Sequence, residues 1–192
     1  IVRMPFEVRH MGSKYPIFSF DFTGAKRGVL PASYDYLRLE GRMQYRLNLP
    51  PIGYSQLMLE GGKIFGKVPY LLLKLHEGNG TYFYDRYAFS CMNFYEFSSD
   101  AWISFFYEHH FNGFLLGRVP LLKKLNWREV FVFKGVYGTL SARNDGSLPN
   151  TKAVMLFPVG MSSVEHPYLE TGFGIENIFR LLRVDCIWRL TH

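Results

Sequence analysis

The chain has 192 residues, 48% of them hydrophobic and 20% charged, and a mean hydropathy of −0.04. That mixture excludes a disordered chain, and no run approaches the roughly 18–20 apolar residues that a membrane-spanning helix needs. The formal charge of +6 comes with no helix-turn-helix, zinc-finger or RNA-binding signature, so nucleic acid is not an expected partner and the charge reads as a solvated basic surface or a site for anionic lipid head groups.

In chain order, residues 6–10 form the first short strand expected. In residues 17–23, Phe18, Phe20 and Phe22 alternate with Ser19, Asp21 and Thr23. The clearest signal spans residues 37–49. Leu37, Leu39, Gly41, Met43, Tyr45, Leu47 and Leu49 alternate without a break with Arg38, Glu40, Arg42, Gln44, Arg46 and Asn48. This predicts a strand with one apolar and one charged face, about twice the usual five or six residues. Pro50-Pro51-Ile52-Gly53 turns the chain back, and residues 54–65 follow with Leu57, Leu59, Gly61 and Phe65 on one face.

Residues 67–90 read as a long loop rich in tyrosine. Residues 101–113 place Ile103, Phe105, Tyr107 and Phe111 opposite Ser104, Glu108, His110 and Asn112. Pro120 interrupts any helix over residues 115–126, so a basic turn is expected there. Residues 128–140 put Val130, Val132, Val136 and Leu140 on one face. A second long loop covers residues 141–166. Residues 169–178 carry Leu169, Phe173 and Ile175 against Glu170 and Glu176. Residues 182–190 carry Leu182, Val184, Cys186, Trp188 and Leu190 against Arg183, Asp185 and Arg189. No repeat, linker or domain boundary appears, and both ends read as cut from a longer chain.

Seven or eight strands with alternating long loops and short turns predict an all-β, antiparallel fold. Alternation alone does not say whether the apolar face meets lipid or a soluble core. A transmembrane strand needs about 9–11 residues. The strand lengths, the 18% aromatic content and an Arg38, Glu40, Arg42, Arg46 ladder that suits a wet lumen favour a transmembrane β-barrel. A soluble lipocalin-like barrel or a sandwich is the alternative.

No catalytic, metal or cofactor site is expected. Adjacent His109 and His110 point to opposite faces of a strand and cannot share a metal. Glu108 and His110 share a face, read as a hydrogen-bonded pair. Ser104 lies on that face without a feature that makes it a nucleophile. Gly172-Phe173-Gly174 precedes no helix, which argues against phosphate binding. Cys91 and Cys186 form no disulfide framework; one bridge is open, and two free thiols are the expectation. Met92-Asn93-Phe94-Tyr95-Glu96-Phe97 mixes aromatics with a carboxylate where a loop is normally polar. It reads as an aromatic cap or as a loop folded back into the barrel.

A series of motifs runs through nearly the whole chain. It comprises Gly62-Lys63-Ile64-Phe65-Gly66-Lys67-Val68-Pro69-Tyr70, Tyr84-Asp85, Met92-Asn93 with Tyr95-Glu96-Phe97, Glu108-His109-His110-Phe111-Asn112-Gly113, Pro120-Leu121-Leu122, Trp127-Arg128-Glu129, Gly174-Ile175-Glu176-Asn177 and Arg189-Leu190-Thr191-His192. It resembles an uncharacterised family of outer-membrane proteins of the Bacteroides group, in which a carboxypeptidase-regulatory-like domain precedes a C-terminal barrel. That family is distantly similar to the bacterial surface antigens, the superfamily of BamA and TamA. The resemblance implies the C-terminal half of a barrel of about 16 strands, one more strand after Arg-Leu-Thr-His, and a long loop inside the lumen. The superfamily's lumenal loop carries Arg-Gly-Phe or Arg-Gly-Tyr, whereas this chain has Asn93-Phe94-Tyr95-Glu96.

The expectation is therefore a single, partial barrel domain over residues 1–192, placed in the bacterial outer membrane. It would be non-enzymatic and assist outer-membrane protein assembly or translocation, or else anchor periplasmic domains. The expected partners are outer-membrane lipid or lipopolysaccharide and partner outer-membrane proteins or lipoproteins. The loop over residues 67–100 is expected to fold inward through Asn93, Tyr95 and Glu96, with Glu96 meeting an arginine such as Arg38, Arg42 or Arg46.

Overall fold

The computed structural model describes residues 2–4, 7–9, 15–28, 34–81, 83–145, 160–164 and 166–191. Its main body is one antiparallel sheet of seven strands: β1 (Ile17–Ala25), β2 (Tyr36–Asn48), β3 (Tyr54–Gly66), β4 (Ala101–His110), β5 (Arg128–Thr139), β6 (Tyr168–Ile178) and β7 (Leu182–Arg189). Each pairs with the next in the chain, so the spatial order equals the sequence order. The strands of 13 residues, β2 and β3, run in unbroken register from Tyr36 opposite Gly66 to Asn48 opposite Tyr54. The all-β, antiparallel expectation holds. The sheet itself is open: among the described residues β1 and β7 each have one neighbour, and no closed barrel forms.

The turn after β2 is held by two backbone bonds, Leu49 N to Gly53 O and Ile52 N to Leu49 O, each 2.8 Å. Gly53 has φ +106°, and a Cβ there would lie 1.8 Å from the His110 carbonyl oxygen. Only glycine lets this turn pack against the end of β4.

Several boundaries differ from those read in the sequence. Pro120 opens a one-turn helix, Pro120–Lys123, after a 3₁₀ turn at Leu116–Arg118. Proline at the first helical position lacks only an N–H that has no partner there in any case, so it starts this turn instead of breaking it. The fourth strand ends at His110, because Asn112 and Gly113 take positive φ. At the N-terminal end Glu7–Arg9 pairs with Val2–Met4 in a separate hairpin; Phe6 and His10 lie outside the described residues. Of the loop expected over 141–166, Ser162–Ser163 pairs in parallel with Phe97–Ser98, and residues 146–159 and 165 lie outside the described residues.

The sheet has two unlike faces. One is bare. Phe18, Phe20 and Phe22 of β1, Ile103 of β4, Tyr137 of β5, Phe173 of β6 and Trp188 of β7 are all exposed there. The other is covered by residues 67–100, here called the strap. The hydrophobic core lies between the strap and the sheet: Phe89 and Met92 of the strap pack on Met58, Phe106, Val136 and Tyr168, and Val68 and Leu73 pack on Ile64 and Trp102. The fifth strand carries apolar residues on both sides. Val130, Val132 and Val136 are buried on the covered face, and Phe131, Phe133 and Tyr137 alternate with them toward the bare one. Cys91 on the strap and Cys186 on β7 are both free thiols, with Cys186 exposed.

Candidate functional site

The strap crosses the covered face in strand order, and each crossing is fixed by a charged or polar contact. Lys74 donates to Glu60 of β3 at 2.5 Å, and Arg42 of β2 donates to the same carboxylate at 2.7 Å. Arg86 donates to Glu108 of β4 at 2.6 Å. Lys134 of β5 donates to the carbonyls of Asp85 and Ala88. The backbone N–H groups of Ser90 and Cys91 donate to Glu170 of β6 at 2.8 and 2.7 Å, and the Tyr168 hydroxyl donates to that carboxylate as well. Arg189 of β7 donates to Glu96 at 2.7 Å. Glu60, Glu108, Lys134 and Glu170 are all buried. Buried charges persist when they are paired or hydrogen-bonded: Glu60 and Glu108 are ion-paired, and Glu170 and Lys134 are held by neutral hydrogen-bond partners.

A second knot joins the sheet to itself. Glu108 also accepts a bond from Arg183 of β7, which grips Asp185 through a bidentate pair. His110 lies 3.1 Å from Glu176 through Nδ1 and 3.3 Å from Glu108 through Nε2. Tyr84 of the strap lies under Arg183 and Lys134 as a cation–π platform. Where the strap returns to the sheet, buried Asn144 accepts from Val68 N at 3.1 Å, and Asp100 accepts from Ser141 N at 2.9 Å.

Of the residues singled out in sequence, Arg38, Glu40, Arg42 and Arg46 share the covered side of β2. Arg38 pairs with its own-strand neighbour Glu40 at 2.8 Å, Arg42 with Glu60, and Arg46 stacks over Tyr54 at 4.1 Å. Glu96 meets Arg189, not one of these three. By that point the strap has passed β6, and the β2 arginines lie on the far side of the sheet. Asn93 and Tyr95 stay exposed in a turn where Asn93 N donates to Glu96 and Tyr95 takes φ +58°.

Ser104 and His110 share a face but stand six residues apart on one strand, about 20 Å at the usual rise, far outside the reach of a nucleophile and its base. A different pair, Ser55 and His109, does meet at 2.7 Å on the other side of the sheet, with His109 Nε2 on the Ile52 carbonyl at 3.1 Å. The carbonyl accepts only, so Nε2 donates and Nδ1 accepts from Ser55. Both residues are buried, and Tyr107 caps the serine at 3.0 Å. The pair locks the β2–β3 turn against β4.

On the strap, burial pushes the His76 imidazole down to about 4, with Lys74 acting in the same direction; neutral His76 pairs with Ser99 at 2.9 Å. Burial, helped by Glu170, also raises the Cys91 thiol above its ordinary range, which keeps it protonated and unreactive. No group of three or more His, Cys, Asp and Glu able to hold a metal occurs among the described residues.

Residues 3–142 match the family model described as the C-terminal domain of a family of unknown function, DUF5686. The chain belongs to that family. The match takes in β1 to β5 and the whole strap. No curated protein matches the chain.

Proposed function

We propose that this domain is a membrane-embedded part of an outer-membrane β-barrel, and that the strap fills its lumen and makes it a non-enzymatic scaffold that anchors attached domains or partners. One observation carries the reading: the sheet is inverted relative to a soluble β-protein. Its bare face carries aromatic or aliphatic residues on all seven strands, and its covered face holds most of the charges. Contiguous exposed apolar patches beyond a few hundred Å² mark membrane or partner surfaces. An apolar band outside and polar residues inside is the pattern of transmembrane barrels. A lipocalin-like binding barrel needs the reverse. The strap's contacts with five successive strands favour a filled interior over an open channel.

A second reading, assistance in the assembly or translocation of other outer-membrane proteins, rests on the two edge strands. β1 and β7 present unpaired backbone groups among the described residues, and such edges accept further strands.

Single-cysteine labelling tests the membrane reading. In a background carrying Cys91→Ser and Cys186→Ser, the Leu39→Cys and Met43→Cys proteins should react in membranes with a lipid-soluble maleimide. Arg38→Cys and Arg42→Cys should not. The reverse pattern, or recovery of the protein in the soluble fraction, sinks the reading.

A further inference from the structure

The end of the sheet opposite the strap holds a pocket that the scaffold role does not use. The β4–β5 and β6–β7 connections enclose about 410 Å³ there. Asn112, Asn126 and Asn177 supply three amides to its lining, and Lys123, Arg128 and Arg180 three cations; no carboxylate lines it. Among the described residues, four of the six non-glycine residues with positive φ, Asn112, Asn126, Asn177 and Arg180, line this one pocket. The Asn177 side-chain amide donates to the Asn126 carbonyl at 2.8 Å and ties the two connections together.

Among the described residues, the charge of the pocket is cancelled only at Arg128, which faces Glu176. Glu176 and Glu129 adjoin the lining residues Asn177 and Arg128 in the chain. Glu176 faces Arg128 across the β5–β6 ladder and bonds to His110. Glu129 accepts from Leu116 N. Among the described residues Lys123 and Arg180 form no ion pair. Three cations and three amides around a cavity of this size suit an anion with several acceptor oxygens. The same connections expose Leu115, Val119, Leu125, Phe179 and Leu181, the last two at 81% and 89%. Apolar side chains flanking a basic site suit a ligand whose anionic head continues into hydrocarbon.

We propose that this pocket binds a phosphate-bearing anion, and, resting on the membrane reading above, that the anion is the head group of an anionic phospholipid. Native mass spectrometry of the full chain in detergent tests it, with phosphatidylglycerol, phosphatidylcholine and inorganic phosphate as probes. Phosphatidylglycerol should bind at least tenfold better than phosphatidylcholine. Lys123→Gln with Arg180→Asn, both exposed positions, should abolish that preference, while Arg143→Gln at the strap end should keep it. Circular dichroism checks that each variant is folded, and Lys123→Gln alone, the milder change, should weaken binding severalfold. Competition by inorganic phosphate supports the shared phosphate chemistry, and its absence favours a lipid-specific site. Equal binding of the two lipids together with no phosphate binding overturns the proposal, as does equal loss in Arg143→Gln. If the protein proves soluble yet binds phosphate in a Lys123- and Arg180-dependent way, the pocket stands and the membrane reading fails.

Discussion

On the bare face, Phe20 at the β1 edge is 69% exposed and Trp188 at the β7 edge 53%, while on the covered face Glu108 and Glu170 are essentially sealed. A sheet in water normally hides its aromatics and shows its carboxylates. Here the covered face tolerates buried charge because each of the buried carboxylates Glu60, Asp100, Glu108 and Glu170 has at least two donors, several of them from the strap. Among the described residues the bare face has no covering segment like the strap; only its end at Ser55 and His109 is buried. The difference separates two kinds of stability. One side depends on specific pairing, the other on the solvent it meets.

The largest expected effect breaks the paired side. Glu108→Ala removes the acceptor shared by Arg86 and Arg183; Arg86 loses its carboxylate and Arg183 keeps only Asp185, at a cost of about 3 kcal/mol. Denaturant unfolding in detergent should show it, together with faster proteolysis of the strap. A loss below about 1 kcal/mol would mean that the knot is not holding the strap. Met43→Arg addresses the bare side. In a bilayer it should cost about 2–4 kcal/mol near the midplane, and in water almost nothing. Comparing unfolding in lipid vesicles with unfolding in a soluble preparation separates the two.

Acid sharpens the comparison further. His76 is held neutral in the folded strap, with a pKa of about 4 against 6.5 unfolded. Between those values the unfolded chain binds the extra proton. Stability is therefore complete above about pH 6.5 and falls as the pH drops toward 4, by up to about 3 kcal/mol. Replacing His76 by Gln should flatten the pH profile in that window; an unchanged slope would assign the acid sensitivity elsewhere. The smallest effect belongs to Arg46→Ala. This residue only stacks on Tyr54 at the rim, and its loss should cost about 0.5–1 kcal/mol in the same unfolding assay.

The strands were legible in sequence wherever one face was apolar and the other charged, as in β2 and β7, because a period of two is then unmistakable. On β5 both faces are apolar, valines on one and Phe131, Phe133 and Tyr137 on the other, so periodicity located the strand but not its orientation. Only its register with Ser104 and Glu108 decides that. Pro120 carries the same local signal whether it starts or stops a helix, and the preceding turn settles which. Glu96 was visible as an odd carboxylate among aromatics. Its partner Arg189 lies 93 residues away, and no local pattern reports a contact of that span. Lys134, set among valines, is a further sign in the sequence that something polar reaches the sheet interior, and periodicity alone passes over it.

The strap's contacts also have an order in time. Measured along the chain, Lys74 reaches back 14 residues to Glu60 and Arg86 forward 22 to Glu108, Asp85 reaches 49 to Lys134, Ser90 80 to Glu170 and Glu96 93 to Arg189. Closure entropy rises with the length of the loop being closed, and each contact made shortens the free chain before the next. The strap can therefore be laid down progressively from its β3 end. Yet it leaves the ribosome before four of the five strands it crosses. Until β4 to β7 arrive, Phe89 has only Met58 of β3 from the core it later shares with Phe106, Val136 and Tyr168, and most of its apolar surface stays uncovered during that interval.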